Sequence, residues 1–564
     1  MSQMTDQACP SQWAETHQVF NQPTPLENYN AFSSDLTLQH WMQVFAGGWG
    51  HSRCLAYGKA VGHELLQAGF LANKYKPEFN SHDRFGHRID QVDYHPAYHQ
   101  LMETAIESGY HQLPWQQPSE GANVVRAALG YLHAQADPGT GCPLTMTFAA
   151  VPTIRQQPEL ANVWLPKIFS RQYEPDNKPF FQKAGVTIGM AMTEKQGGSD
   201  VRANTTIATP IKKQNSGLAY ELVGHKWFCS APMCDAFVVL AQAKGGLSCF
   251  LMPRWRPDGC KNQIFIQRLK NKMGNVSNAS SEVEFRGALA WLVGEEGQGV
   301  PTIIEMVALT RFDCIIGSAA LMRQAVAQVL HHTAGRQAFG RSLQQQPLMQ
   351  NVLADLAIES EAAIALGMRV AFSLDQQGQE HHQSFVRLAT AVGKYWVCKR
   401  VVQHSYESME TIGGVAVVED NILPRLYREA PINAIWEGSG NIQCLDVLRA
   451  IHKQSTTLEV FFQEIMVSKG SDKYLDNVIQ QLKQMAVKLP QISVDDAQWQ
   501  ARQFVEKLAL ALQASILINE GESIIADAFI AGRLAEPHYQ YGTLPASINA
   551  VAIIERAMPQ LGDK

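Results

Sequence analysis

The chain has 564 residues, 46% of them hydrophobic and 18% charged, which gives apolar surface for several domains and excludes a disordered chain. A formal net charge of −5 and a pI near 6.4 exclude a global electrostatic drive toward nucleic acid or anionic membrane. The opening stretch MSQMTDQACPSQWAETHQVF lacks a basic run followed by an apolar one, and no later segment offers the roughly eighteen uncharged apolar residues of a span, so a cytoplasmic chain without a membrane helix is expected.

From about Leu36 to Phe169 apolar residues recur every three or four positions, as in AYHQLMETAIESGYHQL, and predict helices broken at Pro114, Pro118 and Pro138. His95 and His99 share a helix face at i,i+4, but no H-E-x-x-H frame surrounds them, so packing or capping is expected and no metal site. Between about Gly185 and Arg286, β-branched runs punctuated by Gly and Pro predict a compact antiparallel β domain or barrel. Helical periodicity returns near Pro301 and persists almost to the end, with segments long enough for bundle helices. The expected division is 1–184 helical, 185–295 β, 296–450 a helical bundle, and 451–564 an added helical domain. The ten cysteines are scattered without C-x-x-C, which predicts reduced, mostly buried thiols.

Five stretches carry chemistry-bearing residues. GMAMTEKQGGSDVRANTT offers Thr193, paired glycines, Ser199 and Asp200, either a tight hairpin or a loop whose N–H groups and hydroxyls hold an anion or a polar ring edge. GHKWFCSAP ends a strand with Trp227, an indole for a barrel core or against a flat cofactor. TAGRQAFGRSLQQQPLMQ supplies Arg336 and Phe339, a fork for a pyrophosphate or a surface ion pair. METIGG brings Gly413 and Gly414. In PINAIWEGSGNIQ, Glu437 either starts a helix or is a carboxylate whose proton affinity an apolar wall raises.

In this order the motifs TExxxGSD, G-x-K-W, R-x-x-F-G, Gly-Gly, R-x-x-R-E and W-E-G-S resemble the acyl-CoA dehydrogenase family. LVGHKWF, CPLTMTFAA, LPRLYRE and IWEGSGNI, with the extra C-terminal helices, are most similar to its alkylation-response branch. The resemblance implies an α+β fold: an N-terminal helical domain, a central antiparallel β domain, a C-terminal four-helix bundle and the extra helical domain. It also implies FAD, α,β-dehydrogenation of an acyl-CoA, and a homotetramer with FAD at a subunit interface.

Residue by residue, Glu437 matches the catalytic base. The family's alternative base position, just before Arg311, is Thr310. Met192, Thr193, Ser199, Trp227 and Ser230 match flavin-facing positions. Arg336, Phe339, Gly413 and Gly414 match the pyrophosphate and adenine end, and Ser439 and Asn441 the adenosine portion. Arg311, Trp436 and Arg449 are expected to line the substrate pocket, the latter two favouring a small or absent acyl group, and the expected substrate is a short or branched acyl-CoA or a small reactive compound. Lys195, Cys229, Pro347, Glu410 and Ala416 depart from the family pattern. Double-stranded DNA is the alternative partner in this branch. Residues 451–564 carry ten basic against thirteen acidic side chains, which leaves Arg502, Lys507, Arg533 and Arg556 to form a basic face.

Overall fold

The computed structural model describes residues 16–214, 217–536 and 539–561. Eight helices come first: α1 (Leu36–Ala46), α2 (His51–Ala60), α3 (Leu66–Lys74), α4 (Pro96–Ser108), α5 (Leu113–Gln116), α6 (Ala122–Ala136), α7 (Pro138–Arg155) and α8 (Pro158–Ile168). Asp35 and Asp137 start α1 and α7 by accepting orphan N–H groups.

Between α3 and α4 stands a hairpin that helical periodicity does not announce, β1 (Glu78–His82) with β2 (Arg88–Asp93). Its strands are polar and largely exposed, and Arg88 ties it to the later β domain through the Ile266 carbonyl at 2.7 Å. His95 is the N-cap of α4, accepting from the Ala97 N–H, and His99 pairs with the Tyr173 hydroxyl at 2.8 Å.

The central strands are β3 (Ile188–Ala191), β4 (Ile207–Gln214), β5 (Gly217–Ser230), β6 (Ala236–Ala243), β7 (Gly246–Pro253), β8 (Ile264–Leu269) and β9 (Ser280–Val293). Because β7 pairs with both β9 and β6, the strands β4, β5, β9, β7 and β6 close a ring, with β3 attached to β6 and β8 to β9. The purely antiparallel sheet expected from the sequence is corrected at β6, which runs parallel to β3 and β4. A ring of five strands cannot alternate direction all the way round. One neighbouring pair must be parallel, and it is β4–β6. Phe237, Phe250 and Phe285 fill the interior, while Trp291, paired with Leu251, is buried on the opposite face of the sheet.

Three long helices, α9 (Gly299–Gly335), α10 (Pro347–Asp375) and α11 (Glu380–Ile412), pack on one another, and α14 (Gly440–Lys453) lies along α11 to complete the bundle. A two-residue-strand hairpin, β10 (Gln337–Ala338) with β11 (Arg341–Ser342), joins α9 to α10, and the short α12 (Leu423–Glu429) and α13 (Ile432–Ile435) lead into α14. The remaining helices, α15 (Thr456–Met466), α16 (Lys473–Lys488), α17 (Val494–Glu520), α18 (Ser523–Ile530) and α19 (Ala550–Ala557), pack on α10 and α11 as well as on each other.

Buried ion pairs make that joint. Arg533 reaches Asp355 and Glu359 on α10 at 2.5 and 2.9 Å, and Arg556 reaches Glu361 at 2.8 Å. Among the described residues no helix is long and apolar enough to cross a membrane, and the described cysteines are free thiols, Cys9 lying outside them.

Candidate active site

Helix α13 stops at Ile435, Trp436 is extended, and Glu437 and Gly438 then take left-handed backbone angles, φ 56° and 98°. Ser439 is the N-cap of α14, so Glu437 lies before the helix and does not start it. A side chain at position 438 would meet Gln443 Nε2 at 2.8 Å besides being strained, which accounts for the glycine.

Three buried or half-buried side chains hold the turn by its carbonyls. Lys394, 2% exposed, donates to the carbonyls of Asn433, Trp436 and Gly438 at 2.8–3.0 Å. Arg311 Nε donates to the Glu437 carbonyl at 2.9 Å, and Gln443 to those of Glu437 and Gly438 at 3.2 and 2.8 Å. The Thr310 hydroxyl donates to Glu437 Oε2 at 2.8 Å. Burial pushes the Glu437 carboxyl up from the usual 4.5, against the opposing pull of the Thr310 hydrogen bond and the Lys394 and Arg311 charges. Neither Lys394 nor the Thr310 contact is legible in the local motif, since each comes from another helix.

The second wall is the outer end of β5. The Glu of the T-E motif and the Lys of G-x-K-W, for which sequence reasoning found no role, meet inside the barrel: Lys226 Nζ lies 2.9 Å from Glu194 Oε1, both fully buried. Glu194 also accepts from the N–H and hydroxyl of Thr205 and of Thr206, and Lys226 donates to the Leu240 carbonyl. Burial opposes ionisation of Glu194, but these hydrogen bonds and the Lys226 charge hold its carboxyl well below the usual range. The pair fixes the loop that carries Met192, Thr193 and Ser199. Thr193 is joined to β5 by its carbonyl, which accepts from the Trp227 N–H at 2.8 Å, and Ser199 is exposed at the loop tip.

Between Lys226 and Cys229 the strand carries one residue more than β9 opposite it, since Lys226 pairs with Val283 and Cys229 with Ser281. This bulge puts Trp227 and Phe228 on the outer face, turns Cys229 inward to 1% exposure, and brings Ser230 back out. At the position of the departure the thiol of Cys229 is thus turned into the barrel and the hydroxyl of Ser230 follows one residue later. Lys270, paired with Glu282 at 2.7 Å, covers the Trp227 ring at 3.2 Å. Cys142 on α7 lies against Ser230 and Asn278 and feels the charges of both Lys272 and Glu437, so the end of β5 stands on the Glu437 side of α7.

The remaining candidates are dispersed. Arg336 donates to the Asn21 carbonyl at 2.6 Å at the foot of the β10–β11 hairpin. Phe339 and Gly340 form its turn with φ 53° and 82°, and Phe339 is 97% exposed. Gly413 and Gly414 end α11 with nothing within 4 Å of where a side chain would stand. Asn441 accepts from the Arg502 guanidinium at 2.7 Å, and Trp436 Nε1 donates to Asn433 at 2.9 Å. Arg449, 63% exposed, reaches the site only through Asp446, to which Arg311 and Arg387 also bind.

The residues fit a flavin dinucleotide. An outward aromatic and hydroxyl face on β5 suits a ring system, and the uncovered Gly413–Gly414 turn leaves room for close backbone approach to a phosphate or adenine. Of the four residues expected on a basic face, Arg533 and Arg556 are spent on buried acids, whereas Arg502 and Lys507 keep their charge, bonded to the neutral amides of Asn441 and Gln481.

Residues 21–175 match the family described as the adaptive response protein AidB N-terminal domain, residues 189–288 the acyl-CoA dehydrogenase middle domain, and residues 297–452 the acyl-CoA dehydrogenase C-terminal domain. The putative acyl-CoA dehydrogenase AidB of Escherichia coli (strain K12) is 45% identical over 83% of this chain and 87% of its own length. Among solved structures, the Bd2924 apo-form superposes with a TM-score of 0.81 at 28% identity, covering 89% of this chain and 100% of that one. Caenorhabditis elegans ACDH-11, solved in complex with C11-CoA, superposes with a TM-score of 0.83 at 24% identity, covering 98% and 95% of the two chains.

Proposed function

We propose that this chain, which belongs to the acyl-CoA dehydrogenase family, takes the α-proton of a short or branched acyl-CoA with the Glu437 carboxylate. It is an FAD-dependent oxidoreductase acting on CH–CH groups. When bound, FAD supplies the acceptor for the β-hydrogen, which leaves as hydride. Glu437 supports the reading most directly: it is a carboxylate with raised proton affinity, aimed by the Thr310 hydroxyl at 2.8 Å.

Among the described residues the Glu437 N–H has no acceptor. It is placed to donate to a thioester carbonyl, whose polarisation acidifies the α-carbon. Arg311 and Lys394 keep that N–H in position by holding the carbonyls around it. Trp436, locked by its bond to Asn433, narrows the approach and supports a small acyl group.

In our reading FAD lies along the outer face of β5, against Met192, Thr193, Trp227 and Ser230, with Ser199 near the pyrophosphate and Ser439 and Asn441 toward the adenosine. Arg336, Phe339, Gly413 and Gly414 serve the FAD of a neighbouring subunit in a homotetramer. The match of residues 21–175 to the adaptive response protein AidB N-terminal domain supports a place for this activity in an adaptive response, which we take to be that to alkylation damage.

Anaerobic titration of the FAD-loaded protein with isovaleryl-CoA and other short acyl-CoAs tests the reading by flavin bleaching. Wild-type protein should bleach, and Glu437→Gln should retain FAD but reduce about 10²–10⁴-fold more slowly, the usual worth of a general base. Equal rates would remove Glu437 as the base. A parallel gel shift with double-stranded DNA over a salt series checks the protective alternative, which salt-sensitive retention without bleaching would establish instead.

A further inference from the structure

The segment RLKNKMG, which ends β8 and continues past it, sends three basic side chains toward the proposed flavin face, and they are not equivalent. Arg268 and Lys270 both bond Glu282 at 2.7 Å. Lys272 has no carboxylate within salt-bridge distance among the described residues. Its ammonium donates instead to the Asn278 carbonyl at 2.7 Å and to Ser280 Oγ at 2.8 Å. Ser280 Oγ lies 3.1 Å from Ser230 Oγ, and Ser280 is 4% exposed.

An ammonium only donates. Ser280 therefore accepts from Lys272, and when it turns its own proton to Ser230, one of the two senses open to that contact, the Ser230 proton is left for an acceptor beyond it. In that sense the chain runs from cation to outward hydroxyl, and each link strengthens the next.

We propose that Lys272 is a positioning residue that raises the reduction potential of the flavin by polarising Ser230 through Ser280 and by setting an unneutralised positive charge behind it. The proposal rests on the reading that FAD lies on the outer face of β5. Reduction adds negative charge to a flavin, so a nearby cation and a directed donor favour the reduced form. The groups whose charges act on Lys272 are the Cys142 thiol and the Glu429 carboxyl. Neither neutralises it fully. Burial pushes the thiol up to about 11 and the Glu429 carboxyl up to about 7. Burial likewise brings the Lys272 ammonium down to about 8, which keeps it mostly charged at neutral pH.

Spectroelectrochemical titration of the FAD-loaded protein gives the test. Lys272→Met should lower the two-electron midpoint by at least a tenfold change in the redox equilibrium, about 30 mV, at unchanged FAD content. Ser230→Ala should move it in the same direction and perturb the flavin absorption bands. An unchanged potential in Lys272→Met, with Ser230→Ala still shifted, overturns the role of Lys272. Unchanged spectrum and potential in both Ser230→Ala and Trp227→Phe would instead overturn the placement of FAD on β5. Lys272→Gln, neutral but still a donor, removes the charge alone and should also lower the midpoint, which keeps the test open if the methionine variant fails to fold.

Discussion

At Glu437 a non-glycine residue occupies the left-handed region, a conformation costing about 1–3 kcal/mol that persists only where the surroundings impose it. Lys394, Arg311 and Gln443 impose it here through the carbonyls of residues 436–438. Thr310 acts on the carboxylate itself. Because burial raises the Glu437 carboxyl above 4.5, the reactive anion accumulates only as pH rises through that higher value. The Thr310 hydrogen bond favours the anion and so lowers this threshold. Thr310→Val should move the acid limb of flavin reduction to higher pH, which stopped-flow reduction by an acyl-CoA over a pH series would detect. An unmoved limb would leave Thr310 with a purely steric role. The identity of the candidate base was legible in W-E-G-S. Its setting was not, because Thr310 stands 127 positions earlier and Lys394 on a third helix.

The elements were legible where burial leaves a pattern in the sequence. The barrel strands show as β-branched runs because most are buried, whereas β1 and β2, polar and largely exposed, leave no such trace. Parallel pairing at β6 and the β5 bulge were also invisible, since register is decided by the partner strand. Glu194 and Lys226 lock the loop of the T-E motif to β5, so Lys226→Met should strand a buried carboxylate and cost about 3–5 kcal/mol. Urea denaturation measures this. Lys226→Met combined with Glu194→Gln should recover part of the loss, since the buried charge is then gone as well.

Over the whole molecule, large apolar side chains stay exposed on the β10–β11 turn, at the start of α10, and near the end of α11 and the turn after it: Phe339, Leu348, Tyr406, Val415, Val417 and Val418, from 45% to 97% accessible. We read these side chains, which stand close in sequence to the residues proposed to serve a neighbour's FAD, as an association surface. Phe339→Asp should lower the mass in light scattering and the bound FAD together; full FAD in an intact oligomer would exclude Phe339 from the interface. Composition signalled the added helices but not their use, because whether Arg533 and Arg556 face solvent or a buried acid depends on α10.

That joint also sets an order of events during synthesis. Asp355 takes its hydrogen bonds from Arg533 and Gly542, and Glu361 its ion pair from Arg556, so acids at the middle of α10 wait for partners made nearly two hundred residues later. On the ribosome the bundle beside Glu437 cannot bury those charges in compensated form until the last part of the chain has emerged, and the catalytic half of the molecule is finished by its tail.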